Sequence, residues 1–371
     1  MTILLLSICI LITVIHFGYY IVVFNFFNFS KTSQKTKNTI PVSVIVCAKN
    51  EEENLKTYLP FLVKQKYDDF ELVLINDRSY DETATIFEEY EQKYDFVKVV
   101  TIQETDYFYG NKKYALTLGI KAATNDCLLF TDADCKPNSD YWIQEMANQF
   151  TGDTKIVLGY GAHQNVSKSF LNKVIRYETL MTALQYFSFA KIGIPYMGVG
   201  RNLMYSKEAF LKNKGFHQHI MVMSGDDDLL INQIANKENT TICFDENSHT
   251  VSPPKKDWKS WATQKRRHIS TASLYKPVHQ FLLGLYAFNR LLFWLVLPAS
   301  LIYIENTNYQ LIITGLIAIK LISEYIVVGI ASKKLNEKGL FLLIPVLDIC
   351  LLFFQLYIFL YNKINKPYKW S

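Results

Sequence analysis

The hydrophobic positions of this 371-residue chain fall into three patterns. Residues 1 to 30 hold no Lys, Arg, Asp or Glu, and the run from Ile3 to Phe29, "ILLLSICILITVIHFGYYIVVFNFFNF", exceeds the ~20 apolar residues that span a bilayer. From Ile40 the pattern changes to short apolar runs separated by amphipathic stretches. "VSVIVC" (Val42 to Cys47), "FELVLIN" (Phe70 to Asn76), "VKVVTI" (Val97 to Ile102) and "CLLFTD" (Cys127 to Asp132) read as strands, with helices expected from Glu52, Asp81 and Asn111. Strands this continuously apolar belong in a parallel sheet covered on both faces, so the middle of the chain reads as an α/β domain. The third pattern returns to long apolar segments: "FLLGLYAFNRLLFWLVLPASLIYI", "YQLIITGLIAIKLISEYIVVGIA" and "LFLLIPVLDICLLFFQLYIFLY". The expected organisation is a transmembrane helix over 1–30, a basic linker over 31–39, the α/β domain over 40–275, and a C-terminal membrane region of about three helices over 276–371.

Charge orients this arrangement. Lys31, Lys35 and Lys37 follow the first span, Lys255 to Arg267 precede the second, and Lys333, Lys334 and Lys338 lie between the last two. Positive-inside counting then makes the α/β domain cytoplasmic, on a protein integral to the cell membrane. The N-terminal run lacks the basic start and short apolar core of a cleaved signal peptide. Four full spans would leave the basic tail "NKINKPYKWS" outside, so one C-terminal segment is expected to be re-entrant or interfacial, with the first interrupted by Arg290. The six cysteines are scattered without a C-x-x-C pair, which disfavours a disulfide framework or a zinc site. The net charge of +5 is mostly accounted for by membrane-flanking lysines and makes no case for nucleic-acid binding.

Candidate chemistry collects where the strands end. In open parallel sheets, ligands bind outside the carboxyl ends of the strands. "AKNEEEN" follows the first strand, "NDRSYDET" the second, and "DADC" the fourth, while "GNKKYAL" enters a helix. Asp132 and Asp134 are one residue apart at the end of an apolar run, and in extended chain both point the same way. Two adjacent carboxylates fit a hard cation, Mg²⁺ or Mn²⁺, shared with substrate phosphates; a polar turn is the plain alternative. Asp77 can accept from a base or ribose, and Lys112 can add positive charge to phosphates, or these residues cap a helix and solvate its face. No G-x-x-x-x-G-K-[ST] or G-x-G-x-x-G stands on this rim, so a P-loop or dinucleotide-binding reading finds no support.

Taken in order from Pro41 to His268, "PVSVIVCAKNEEENL", "LVLINDRSYDET", "GNKKYALTLGIKAATNDCLLFTDADC", "GVGRNLMYSKEAF", "SGDDDLLINQ" and "QKRRH" resemble the membrane-bound family 2 glycosyltransferases. That group includes cellulose, hyaluronan and poly-N-acetylglucosamine synthases and ceramide glucosyltransferase. The resemblance implies a GT-A fold, Rossmann-like with a mostly parallel sheet, and inverting transfer from a nucleotide sugar. Under it, Ala48, Asn50, Glu51 and Asp77 hold the nucleoside, and Asp132 and Asp134 carry Mg²⁺ or Mn²⁺ on the diphosphate. Gly200, Arg201 and Asn202 are implied acceptor-side contacts, and the general base is Asp227 or Asp226, depending on how "GDDD" is registered. Gln264 and Arg267 are implied to bind the diphosphate. The family's Q-x-x-R-W ends here in His268, which weakens the case for an acceptor-stacking platform and for long-chain polymerisation.

The remaining features divide between function and packing. Lys255, Lys256, Lys259, Lys265 and Arg266 read as attracted to the membrane surface, and Trp258 and Trp261 as interfacial anchors or core. The tyrosine-rich stretch from Phe170 reads as a packed helix. Lys320 and Glu324, four apart in an apolar segment, read as a mutual pair, and Asp348 is a further intramembrane charge. The function expected is transfer of a UDP-hexose or UDP-N-acetylhexosamine sugar to a lipid-linked or growing glycan acceptor. A processive synthase, a membrane nucleotidyltransferase and a non-catalytic scaffold subunit of an envelope-glycan assembly complex are the alternatives.

Overall fold

A computed structural model of the chain describes residues 2–31, 37–103 and 112–365. The N-terminal apolar run is one helical rod, α1 (Thr2–Phe17) and α2 (Phe24–Asn28) joined by a π-helical turn over Gly18–Val23. The α/β domain follows with β1 (Val42–Ala48), α3 (Glu52–Val63), β2 (Phe70–Asn76), α4 (Thr83–Lys93) and β3 (Val97–Thr101). Next come α5 (Lys112–Ala122), β4 (Cys127–Asp132), β5 (Lys136–Pro137), α6 (Trp142–Ala147), β6 (Ile156–Leu158), β7 (Gly161–His163) and α7 (Phe170–Lys191). The domain closes with β8 (Leu203–Ser206), α8 (Lys207–Lys212), α9 (Asp228–Ile234), β9 (Thr240–Ile242), β10 (Thr250–Ser252) and α10 (Trp258–Thr271). Gly110 and Asn111, ahead of α5, and the end of the basic tail lie outside the described residues.

The main sheet runs β3-β2-β1-β4-β8-β6-β9, and β5, β10 and β7 form a small second sheet. β1 to β4 are mutually parallel, whereas β8 inserts antiparallel between β4 and β6. The strand order reverses direction between β1 and β4, which is the switch point where such sheets open a crevice. The register there sets Cys47 opposite Asp132, so both strands finish on one rim. One sheet face, including Val44 and Leu129, packs under α3 and α6. The other, including Ile45 and Phe130, packs against α5 and α7. That second core does not stop at the domain edge: through α7 it continues into Phe24 and Phe27 of α2 and into residues of the C-terminal helices, among them Val327 and Leu347.

Those C-terminal helices are α11 (Pro277–Tyr303), α12 (Thr307–Lys334) and α13 (Ile344–Ile364). With the N-terminal rod they make four helices long and apolar enough to cross a membrane. Arg290 does not interrupt the first of them. Its Nε donates to Asp348 Oδ1 of α13 at 2.6 Å and it is buried, so α11 is unbroken over 27 residues. Lys320 and Glu324 pair at 2.5 Å as expected, and Asp348 lies 3.8 Å from the same ammonium. Trp294 Nε1 donates to the other Asp348 oxygen at 2.8 Å.

The junction between membrane helices and domain is polar and closed. Lys334 donates to the carbonyls of Phe27 and Ser30 at 2.8 and 2.5 Å. Glu337, in the turn after α12, accepts from Arg176 of α7 and from the Tyr160 hydroxyl, each at 2.8 Å.

Candidate active site

The rim is shaped by two residues in the left-handed region, Asn50 after β1 and Arg78 after β2, both at φ 55°. Asparagine tolerates that conformation better than most residues, and here Asn50 Oδ1 also accepts from the Tyr80 N–H of the neighbouring loop at 2.8 Å. Arg78 has no such intrinsic tolerance; its guanidinium grips Asp77 Oδ1 through Nε at 2.8 Å and Nη2 at 2.6 Å. The Asp77 N–H bonds Ala48 O at 2.8 Å, which ties the two strand ends together. Glu51, at the start of α3, accepts from Asn54 at 2.6 Å. Its pKa is raised by burial, with the charges of Asp134 and Asp132 adding to the shift.

Lys112 opens α5 and reaches across the crevice. Its ammonium lies 2.7 Å from Asp132 and 3.4 Å from Asp226, bridging the end of β4 to the acidic run. Desolvation opposes its charge, but the two carboxylates outweigh it and hold its pKa well above the ordinary lysine value. Burial pushes the carboxyl pKa values of Asp132 and Asp134 upward. At Asp132, Lys112 overcomes this and holds the group below its usual range, with Arg201 and Arg267 adding to the effect. Asp134, beside that charge, is raised instead.

The donor set fits a hard divalent cation. Ligand atoms of Asp132, Asp134 and Cys135 lie within 4.8 Å of one another. The Cys135 thiol is buried, donates to Asp134, and has its pKa pushed well up by burial and by the two aspartates, so it stays protonated and the carboxylates are the ligands. Asp132 and Asp134 could therefore offer oxygen ligands to a hard divalent cation.

Each aspartate of the acidic run has its own setting. Asp226 faces Lys112. Asp227 caps α9; its carboxylate accepts from the Gly200 N–H and the Asp228 N–H, each at 2.7 Å. Burial, then the charges of Asp226 and Asp228, raise Asp227 to about 7 against those two bonds. Asp228 is buried and engaged by Tyr275 at 2.6 Å, by Thr271 and by the Leu229 N–H. Lys112, Asp132, Gly200, Asp226 and Asp227 line one cavity.

The other residues singled out from the sequence distribute unevenly. Arg201 bonds His163 at 3.0 Å and Ser252 at 3.3 Å, with its Nε buried and without a partner. Asn202 is 0% exposed: its amide donates to the carbonyls of Tyr160 and Ser248 and accepts from Trp142 Nε1, so its polar capacity goes to holding the loop. Arg267 acts electrostatically on Asp132 from α10, Gln264 is half-buried one turn earlier, and His268 is exposed. Lys265 and Arg266 are not free to attract a membrane surface. Lys265 pairs with Glu178 of α7 at 2.7 Å, and Arg266 bonds Asn362 and Asn365 beyond the middle of α13 while stacking on Tyr361. Trp261 is core, stacked on Phe354 of α13 at 4.0 Å, and Trp258 is partly exposed. Sequence reasoning passed over Arg78, Lys113 and the pair Gly159 and Gly161. A Cβ on either glycine would fall about 2.5 Å from Asn202 or Arg201 atoms, so "GYG" is the signal for the seat of that loop.

With this geometry in place, comparison with known proteins assigns the family. Residues 43–213 match the model of glycosyl transferase family 2. The chain carries a family 2 glycosyltransferase domain. It is 29% identical over 163 residues to a probable glycosyltransferase, YdaM, of Bacillus subtilis, covering 41% of this chain and 37% of that protein. It is 31% identical over 150 residues to poly-beta-1,6-N-acetyl-D-glucosamine synthase of Staphylococcus aureus, covering 39% and 34%. A cholesterol galactosyltransferase of Borreliella burgdorferi is 32% identical over 93 residues, 25% of each chain. The chain thus spans between a quarter and about two fifths of the length of these relatives. Among solved structures, the mannosyltransferase PcManGT from Pyrobaculum calidifontis, in complex with GDP-Man and Mn²⁺, superposes with a TM-score of 0.57 at 18% identity over 90% of this chain and 99% of that one. That likeness is one of fold, and the fold is GT-A with long apolar helices at both ends. The chain thus joins a mostly parallel sheet to four helices long and apolar enough to cross a membrane.

Proposed function

We propose that this glycosyltransferase is inverting and metal-dependent, taking a sugar from a UDP-hexose or UDP-N-acetylhexosamine. The acceptor in this reading is lipid-linked or a growing glycan, met at the cytoplasmic face of the cell membrane. The observation that carries the reading is convergence: the end of β4, the start of α5, the acceptor-side loop and the acidic run meet in one crevice.

Within it, Asp77 and the Ala48–Glu51 segment orient the nucleoside. Asp132 and Asp134 would hold Mg²⁺ or Mn²⁺, which would supply positive charge to the diphosphate. Lys112 and Arg267, with Gln264 beside it, add fixed positive charge and donors where leaving-group charge develops. Asp227 takes the proton from the acceptor hydroxyl. The Gly200 N–H fixes its orientation, and a pKa of about 7 suits a base working at neutral pH. Gly200 and Arg201 bound the acceptor side, with Asn202 holding their loop. One transfer per acceptor is favoured over processive synthesis, since the position of the family's stacking Trp is an exposed His268.

The test is nucleotide release by the purified protein in nanodiscs, offered a panel of UDP-, GDP- and CDP-sugars with Mn²⁺ and native lipid extract. One UDP-sugar should give release that EDTA and Asp134→Ala both abolish, and product mass should show a single added sugar. A folded protein that releases no nucleotide from any donor would return the scaffold-subunit reading.

A further inference from the structure

Lys113 is the unexplained residue of α5. Adjacent residues on a helix point about 100° apart, so Lys112 and Lys113 leave the first turn in different directions. Lys112 enters the crevice. Lys113 is 2% exposed, and its ammonium donates to three backbone carbonyls of one loop: His219 at 2.7 Å, Val222 at 2.8 Å and Ser224 at 2.7 Å. An ammonium has three donors, and here all three are used. A buried charge is tolerated only when so satisfied. Burial lowers its pKa to about 8, with Asp226, Asp228 and Asp227 acting the other way, so the group is charged at neutral pH.

The loop in question runs directly into the acidic run. Val222 and Ser224 precede Gly225, which sits at φ 89°, a conformation that glycine takes without a Cβ penalty. Asp226 and Asp227 follow. At the loop tip Met221 is 80% exposed, while Ile220 and Val222 pack against the core beneath. The tripod around one nitrogen gathers three of the loop's backbone carbonyls.

We propose that Lys113 is a positioning residue, fastening the 219–224 loop so that Asp227 stands against the Gly200 N–H at the reacting end of the crevice. Lys112 and Lys113 then act as a pair: one joins the metal-side aspartate to the acidic run, the other holds the backbone that delivers that run. This inference rests on the reading of Asp227 as general base. A planar guanidinium does not reproduce a three-carbonyl tripod, so arginine is a poor substitute.

The experiment is steady-state UDP release by wild type, Lys113→Met, Lys113→Arg, Asp227→Asn and the double variant Lys113→Met/Asp227→Asn. Activity of the wild type is the separate check on the proposed function, and its absence sinks that reading rather than this one. With an active wild type, Lys113→Met should lower kcat about tenfold to a hundredfold, as small misplacements of catalytic groups do. The donor KM should change by less than about twofold, because the nucleoside contacts, Asp77 and the Ala48–Glu51 segment, lie at and just after the ends of β1 and β2 rather than on the 219–224 loop. In the Asp227→Asn background the same substitution should remove little further activity, since its effect passes through Asp227. Hydrogen exchange of residues 216–224 should quicken in the variant while its melting temperature stays within a few degrees. An unchanged kcat in folded Lys113→Met, additive losses in the double variant, or failure of both lysine variants to fold would each overturn the positioning role.

Discussion

Asp226, Asp227 and Asp228 are written alike in the sequence and meet three different fates. The first faces an ammonium, the second two backbone N–H groups, the third two hydroxyls and a backbone N–H. Substitution should separate them. Asp227→Asn should cost about 10²- to 10⁴-fold in kcat, the usual range for a positioned base. Asp228→Asn should act mainly on the melting temperature. The pH profile carries the sign of the Asp227 shift: the base works deprotonated, its pKa is raised to about 7, so kcat should climb as pH rises through 7. A profile flat from pH 6 to 8 would remove Asp227 from that role. The clusters on the strand ends were legible because a parallel sheet must bring them to one rim. The choice within the acidic run was not, since it is decided by Gly200, Thr271 and Tyr275, which only the fold brings close. Arg78 was hidden for a related reason: an Asp-Arg pair in a turn reads as solvated until its φ of 55° shows that the guanidinium folds back on its neighbour. Arg78→Ala should therefore raise the donor KM several-fold by freeing Asp77, read directly in donor titrations.

At the level of elements, the four apolar runs appear as strands with ends within a residue of those read from the pattern, because short runs dominated by aliphatic and aromatic residues leave the chain few alternatives. The antiparallel β8 and the three-residue β6 and β9 were too short to announce themselves. α10 is the instructive case. Its cations suggested a helix lying on lipid headgroups, yet Lys265, Arg266 and Trp261 bind it to α7 and α13. Charge along a helix gives its solvation but not its partners. The helix that carries Gln264 and Arg267 is thus docked on a membrane helix. Trp261→Ala should destabilise the fold by about 3–5 kcal/mol, as for other buried aromatic truncations, and should lower turnover although the indole lies in the core. Thermal unfolding and UDP release measured together would check both.

Across the whole molecule, one continuous core and a set of polar ties join the catalytic domain to its membrane helices. Within those helices, Arg290, Asp348, Lys320 and Glu324 form a cluster of two positive and two negative charges, all nearly inaccessible. Isolated Arg, Lys or Asp at a helix centre costs about 2.5–3.5 kcal/mol on insertion scales. Lys320 and Glu324 satisfy each other within α12. Arg290 has no such neighbour and depends on a residue 58 positions later in the chain. At about 5–20 residues per second, the ribosome makes Asp348 some 3–12 s after Arg290. For that interval α11 is a poor guest in lipid. Its arginine would wait beside the translocation machinery or at the headgroups until α13 arrives, while α12, whose two charges pair within the helix, can enter on its own. Asp348→Asn should then leave α11 incompletely inserted while α12 inserts normally, as read by accessibility of single cysteines placed at the ends of each helix. The order in which this protein is made is thus written into one buried ion pair.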